Sequence, residues 1–330
     1  MRIVIPGGTG QVGTLLARAF HAAGDDVVVL SRRPDPGAVP WRVAAWDART
    51  VGAWAAELEG ADAVINLAGR SVDCRYDARN RREILASRVD STRAVGRAVA
   101  AAARPPRVWL QAGTATIYAH RYDAPNDEAS GVLGGAEPGL PDTWRFSLEV
   151  ARAWEAATME ADLPVTRRVI LRAAMVMSPD RGGVFDVLLR LVRFGLGGTA
   201  GDGRQYVSWV HGDDAVAAVR WLIARDDLAG PVNVAAPGPV PNAEFMRALR
   251  RAWGAPVGLP ASRWMLEVGA LALRTETELI LKSRRVVPGR LLASGFAFAH
   301  PTWDAAARDL VARWRRGGGQ RQPPGRDSRD

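Results

Sequence analysis

The sequence predicts an α/β protein: a doubly wound parallel sheet followed by a smaller, mainly helical C-terminal substrate or cap unit. Three observations predict it. Short β-rich runs alternate with apolar helical stretches through the first half, a glycine-rich turn joins the first run to the first helix, and after about residue 172 the alternation gives way to helical patterns. Strand–helix–strand units joined by right-handed crossovers place helices on both faces of a parallel sheet.

The elements follow in order. Strands are expected at "RIVIP", "DVVVLSR", "AVINLAG", "RVWLQAG" and "TRRVILRA", with a further one just before Asp47. These are short apolar runs rich in Val and Ile, which suit strands buried on both faces. Between them, "VGTLLARAFHAAG", "VGAWAAELEG", "NRREILASRVDSTRAVGRAVAAAA" and "TWRFSLEVARAWEAATMEA" carry apolar residues at helical spacing. Later, "GGVFDVLLRLVRFGLG" reads as a helix, "GPVNVAA" as a strand, and "NAEFMRALRRAWG" as a helix capped by Asn242 with Glu244 in its first turn. The expected division is a nucleotide-binding core over residues 1–172, with contributions from about 205–236, and a substrate or cap region over 173–312. The stretch "WMLEVGALALR" reads as a core helix, and residues 317–330, rich in Gly, Pro and charge, as a disordered tail.

Composition narrows the class. At 330 residues, 48% hydrophobic and 24% charged, the chain is ordinary for a globular protein of about two units. The net charge of +9 is almost wholly arginine, since Lys282 is the sole lysine. The arginines are scattered and lack interleaved aromatics, so nucleic acid is not the expected partner. A single cysteine, Cys74, permits no internal disulfide and fits a reducing compartment. No apolar run reaches the ~18–20 residues that span a bilayer, and no signal peptide precedes the first strand, so a cytoplasmic protein without membrane contact is expected.

The strongest local signal is "RIVIPGGTGQVGTLLARAF", a strand, a glycine turn and a helix. Gly7, Gly10 and Gly13 suit a tight turn that lets backbone approach a pyrophosphate at the positive end of the helix dipole. Thr9, Gln11 and Val12 complete that turn. This is the dinucleotide-binding signature of a Rossmann fold. An NAD site places Asp or Glu at the end of the second strand; here Ser31, Arg32 and Arg33 stand there, and an arginine pair matches a 2′-phosphate instead. NADP(H) is therefore the expected cofactor. Asp47 is placed to accept from the adenine amino group or to cap a helix. Leu67, Ala68 and Gly69 end the next strand with mostly small residues, as close approach to a cofactor requires.

With those residues in hand, the chain resembles the extended branch of the short-chain dehydrogenase/reductases, and more narrowly their atypical epimerase-like family with a C-terminal domain of unknown function. The resemblance runs to about residue 312 and rests on "GGTGQVG", "SRRP", "INLAG", "EILASRVDSTRAV", "GTATIY", "RFGLGGTAGDGRQYVSWVHGDDAV", "GPVNVAAPGPVPNAEF" and "RVVPGRLLASGFAF". It implies that Thr114 orients the substrate oxygen and that Arg88 faces the cofactor. It implies that "SWVHGDD" helps close the substrate pocket, with His211 and Asp214 structural, and that a homodimer forms through the long helices.

The resemblance also exposes a loss. Working members carry a tyrosine as general acid/base and a lysine four residues later that lowers its pKa; the matching positions hold Phe146 and Val150. The four tyrosines are Tyr76, Tyr118, Tyr122 and Tyr206, so no Tyr-x-x-x-Lys exists. Phe146, Val150, Trp154 and Ala157 form an apolar stripe expected to be buried. Tyr118 and His120 follow Thr114 at the expected substrate mouth, with Arg75 or Arg121 available to lower the phenol pKa, and Tyr118 is the candidate replacement donor. The four histidines are far apart in sequence, no metal site is expected, and no G-x-S-x-G elbow is present. The reading is an NADP(H)-binding oxidoreductase or epimerase on an unidentified carbonyl or sugar-like molecule; the alternative is a non-catalytic NADP(H)-dependent sensor or scaffold.

Overall fold

The computed structural model describes residues 1–317 except positions 35, 36, 38, 263, 267–275 and 277. The expected disordered tail beyond Gly317 and most of the expected "WMLEVGALALR" helix lie outside the described residues.

In chain order the strands are β1 (Arg2–Pro6), β2 (Asp26–Ser31), β3 (Arg42–Ala45), β4 (Ala63–Asn66), β5 (Val108–Thr114), β6 (Arg167–Ala173), β7 (Met175–Met177), β8 (Tyr206–Val207), β9 (Trp209–His211), β10 (Gly230–Val234) and β11 (Val240–Pro241). The helices are α1 (Gln11–Ala22), α2 (Ala78–Ala101), α3 (Asp142–Met159), α4 (Val184–Arg193), α5 (Gly212–Ala224), α6 (Asn242–Trp253), α7 (Glu278–Leu281), α8 (Gly289–Ala293) and α9 (Trp303–Arg316). Seven strands form one parallel sheet in the order β3-β2-β1-β4-β5-β6-β10. This is the Rossmann arrangement expected from the sequence, and its strand order reverses between β1 and β4.

Alternation along the strands divides the core. Ile3 and Ile5 join Val27, Val29 and Ile65 under α1 and α5. Val4, Val28 and Val64 point the other way, against Trp54, Ala94, Val95 and Val99. Successive strand side chains face opposite sides, so each strand fills two apolar layers. α1 buries Gly13, Leu16, Ala17 and Phe20, one stripe at helical spacing. A separate core holds Phe185 and Leu189 of α4, Phe245 and Leu249 of α6, and Trp303, Leu310 and Trp314 of α9. There the Trp303 ring stacks on Phe245 at 4.0 Å and its indole N–H donates to the Phe245 carbonyl at 2.8 Å.

Two local expectations need correction. "VGAWAAELEG" forms a 3-10 helix over Ala53–Leu58 rather than an α-helix, capped by Gly52 without a side-chain bond. Asn242 is the first residue of α6, after Pro241, and not its cap. Its amide oxygen is taken by the Ala200 N–H at 2.8 Å, a tertiary partner that outcompetes the local one. Among the described residues no helix is long and apolar enough to cross a membrane.

Candidate functional site

The candidate site residues gather at the carboxyl ends of β1, β2, β4 and β5. Gly7 adopts φ +74°, and a Cβ there would sit 2.6 Å from the Ala68 Cα, so turn and close approach both demand glycine. A Cβ on Gly13 would stand 2.4 Å from the Gly8 Cα, which lets α1 start hard against the turn. Gly10 differs: its nearest atom would be 4.0 Å away, and it is exposed. The open face above Gly10 meets the first turn of α1, whose cap makes no side-chain hydrogen bond. The first amides of a helix lack internal partners and attract anions. Thr9 is exposed beside Gly10, Gln11 reaches Ser178 at 3.2 Å, and Val12 packs on the core, so Val12 offers only backbone to this face.

At the end of β2, the buried Ser31 hydroxyl donates to the Arg33 carbonyl at 2.8 Å and accepts from the Arg33 N–H, a turn that projects both arginines outward. Arg32 and Arg33 are exposed, and among the described residues their guanidinium groups make no hydrogen bond or ion pair. Asp47 accepts from the N–H groups of Arg49 and Thr50 at 2.8 and 2.9 Å and from the Thr50 hydroxyl. Those bonds hold its carboxyl at a pKa of about 2. It therefore secures the turn after β3 and does not cap a helix. The next residue, Ala48, takes φ +63°, which is costly for a residue with a side chain.

Leu67 packs on the core, Ala68 approaches Gly7, and Gly69 is exposed; a Cβ on Gly69 would lie 3.2 Å from the Arg88 guanidinium carbon. Arg88 reaches the Gly69 turn from α2, lies 4.9 Å over the Trp154 ring and donates to the Ile84 carbonyl at 3.1 Å. Burial lowers its pKa to about 10. A desolvated cation at the end of β4 suits an anionic or polar ligand.

Thr114 closes β5, where its Oγ1 accepts from the Thr116 N–H at 3.1 Å, leaving its own hydroxyl proton free to donate. Phe146, Val150, Trp154 and Ala157 are all buried, as their spacing predicts. Tyr118 is not at a mouth. It is 2% exposed; its hydroxyl donates to Asn233 Oδ1 and accepts from Arg172 Nη1, each at 3.0 Å. Burial raises its pKa despite Arg172, so an arginine does not set it. Neither expected neighbour acts on it: Arg121 pairs with Asp123 and Arg75 with Glu276. His120 is tied up as well. Its Nδ1 accepts from the Ser283 N–H at 2.8 Å, its ring packs edge-on against Tyr122 and Trp144, and burial lowers its pKa.

A second cluster escaped sequence reasoning. Tyr76 and Ser147 meet Glu276, Glu278, Lys282 and Arg284 of the C-terminal unit. Ser147 Oγ contacts Glu278 Oε2, while the buried Glu278 Oε1 lies 3.9 Å from Lys282 Nζ and has no hydrogen-bond partner among the described residues. Burial raises the Glu278 pKa. The sole lysine is 1% exposed, donates from Nζ to the Thr116 carbonyl at 2.8 Å, and has its pKa lowered by burial to about 8. Only the oddity of one lysine in an arginine-rich chain signalled it.

Two of the histidines that lie far apart in sequence meet in space. His211 and His300 stack at 3.8 Å, and with Asp309 they bring three ligand atoms within 4.8 Å of one another. Those atoms already have partners: His211 Nδ1 accepts from the Asp213 N–H, its Nε2 faces Asp309 at 3.2 Å, and Arg313 pairs with both Asp213 and Asp309. Burial and the neighbouring His300 lower the His211 pKa below 6.5. The unfolded chain then binds more protons than the folded one just below pH 6.5. Stability is full above that value and is expected to fall as pH drops below about 6.5. Melting curves should show this loss, and His211→Gln should flatten it.

A doubly wound sheet and a glycine turn on a helix N-terminus beside the strand switch, with Gly10 exposed, define a nucleotide-binding protein of the short-chain dehydrogenase/reductase type. The family model described as the NAD dependent epimerase/dehydratase family matches residues 3–235, and a domain of unknown function (DUF1731) matches residues 261–310. The chain belongs to the NAD dependent epimerase/dehydratase family. It is 33% identical over 318 residues to the bovine epimerase family protein SDR39U1, covering 94% of this chain and 100% of that one. The crystal structure of human epimerase family protein SDR39U1 (isoform 2) with NADPH superposes with TM-score 0.81 at 29% identity, over 94% of this chain and 99% of that one. A nucleoside-diphosphate sugar epimerase from Corynebacterium glutamicum gives TM-score 0.72 at 26% identity, over 98% of this chain and 62% of that one.

Proposed function

We propose that the chain binds NADP(H) and carries out hydride transfer to or from a carbonyl or sugar-like small molecule. The observation that carries this reading is the open face at Gly10, set on the N-terminus of α1 and accompanied by two exposed arginines, without a partner among the described residues, where an NAD site has an acid. The similarity to a human relative crystallised with NADPH supports it. When bound, the dinucleotide supplies or accepts the hydride. The turn amides of residues 10–13 hold the pyrophosphate, Arg32 and Arg33 grip the 2′-phosphate, and Arg88 serves the cofactor side of the substrate cleft. Thr114 donates its free hydroxyl proton as a hydrogen bond to the substrate oxygen. The burial of Phe146 and Val150 favours the second reading, a protein that binds NADP(H) and reports it to a partner without turnover.

The test is calorimetric titration with NADPH and NADH. A hydrogen bond to a charged group contributes about 1.5–3 kcal/mol. Arg32→Ala/Arg33→Ala is therefore expected to weaken NADPH roughly 10- to 100-fold while leaving NADH unchanged. Equal affinity of the native chain for both nucleotides would remove the 2′-phosphate assignment.

A further inference from the structure

Phe146 occupies the position from which the resemblance expects a proton donor, and the aromatic ring packed on it carries a hydroxyl. Tyr76, from the loop between β4 and α2, meets Phe146 edge-on with ring centroids 5.2 Å apart. Its backbone is fixed on both sides: the N–H donates to Glu276 at 2.9 Å and the carbonyl accepts from Arg81 Nε at 2.8 Å. Ser147, one residue past Phe146, joins α3 to Glu278 of the C-terminal unit.

We infer that Tyr76 gives the substrate oxygen its proton in place of the missing tyrosine, and that the C-terminal unit completes this site through Glu276, Glu278 and Arg284. The inference rests on the hydride-transfer reading above. In the reducing direction, hydride adds to the carbonyl carbon and forms its C–H bond while the C=O π pair moves onto oxygen. The oxygen takes the phenolic proton as the Tyr76 O–H bond breaks. The carbonyl is reduced, the nicotinamide loses two electrons, and the phenolate regains a proton from water.

The surroundings suit each stage. Burial holds the phenol above its ordinary pKa, with Glu278 and Cys74 adding to the rise and Ser147 and Arg88 opposing it, so the donor is protonated at neutral pH. Once the proton leaves, the positive charges of Arg88 from α2 and Arg284 from the C-terminal unit favour the phenolate. Two guanidinium groups thus take the part that a lysine at position 150 plays elsewhere. Arg284 also reaches Thr116 Oγ1 at 3.2 Å, and Lys282 holds the Thr116 carbonyl, so the same unit braces the turn that carries Thr114. Glu278, 1% exposed, has its Oε1 3.9 Å from Lys282 Nζ and its Oε2 on Ser147, so the cluster ties charged groups of the C-terminal unit to α3.

Tyr76→Phe keeps the ring and tests the idea without disturbing the core. Calorimetry with NADP⁺ comes first. Binding to native and Tyr76→Phe chains with the same Kd is expected, and absence of binding to the native chain would overturn the cofactor reading itself. The full chain is then labelled with Cζ-enriched tyrosine, and the Tyr76 carbon resonance, assigned by its loss in Tyr76→Phe, is followed against pH. A cation nearby lowers a phenol pKa by roughly 1–3 units. The Tyr76 midpoint is therefore expected to fall by about one unit or more with NADP⁺ and not with NADPH, because only the oxidised nicotinamide is cationic. An unchanged midpoint in a chain that binds NADP⁺ would show that the phenol does not face the reacting ring and would overturn the inference alone. Glu278→Gln removes a carboxylate whose charge raises the phenol pKa and is expected to lower the midpoint in the free chain; no change would detach the C-terminal unit from the site.

Discussion

Gly10→Asp is expected to bind NADPH at least ~100-fold more weakly than the native chain while melting at the same temperature. A Cβ at Gly10 meets nothing nearer than 4.0 Å, so the fold has room for the side chain. In the proposed cofactor site that room takes the pyrophosphate, and a carboxylate there removes space and sets like charges together, a juxtaposition that costs several kcal/mol. Each 1.4 kcal/mol is tenfold in affinity, so two decades is a modest expectation. Gly13→Ala separates folding from binding in the opposite sense. Its Cβ would fall 2.4 Å from the Gly8 Cα, a backbone atom that cannot swing aside. Overpacking of this kind costs about 1–3 kcal/mol, and urea unfolding should register it before any ligand is added. Equal binding by native chain and Gly10→Asp would mean that the glycine turn holds no phosphate.

The contrast between Gly10 and Gly13 shows what was legible in the sequence. A glycine triplet between a β-rich run and an apolar helix is a local signal, and local signals survive folding: β1, α1 and the arginines ending β2 stand where the sequence places them. The buried stripe of α3 was equally legible, since spacing alone puts Phe146, Val150 and Trp154 on one face. The Tyr76 cluster was not. Ser147 and Glu278 are 131 residues apart, and Tyr76 and Glu276 are 200 apart, so nothing local announces their meeting. The short β7–β9 ladder was hidden for a similar reason, being made by three-residue segments from distant parts of the chain.

Tyr118 was misplaced although a signal was present. Arg172 stands near the end of β6, inside an otherwise apolar run, and a charge in a central strand requires buried partners. The structure supplies them: Glu155 from α3 pairs with the guanidinium through two contacts of 2.8 Å, and the Tyr118 hydroxyl takes a third donor at 3.0 Å. Asn233 accepts from that hydroxyl, donates its backbone N–H to Glu128 Oε1 at 2.7 Å and donates its side-chain amide to the Val287 carbonyl at 2.9 Å. The network thereby links the turn after β5, α3, β6 and β10 to the C-terminal unit.

Breaking this network is expected to be the largest single loss of stability among the substitutions considered. Arg172→Met leaves the Glu155 carboxylate, 15% exposed, without its cation, and removing one partner of a buried pair costs about 3–5 kcal/mol. Tyr118→Phe is milder: it strands the Asn233 oxygen and one Arg172 donor, which costs about 1–3 kcal/mol. Urea midpoints at constant slope measure both. The two variants also bear on chemistry, because NADPH affinity is expected to be unchanged in Tyr118→Phe once the protein is folded. A Tyr118→Phe chain as stable as the native one would show the phenol to be free of this network, and would return it to candidacy as the proton donor in competition with Tyr76.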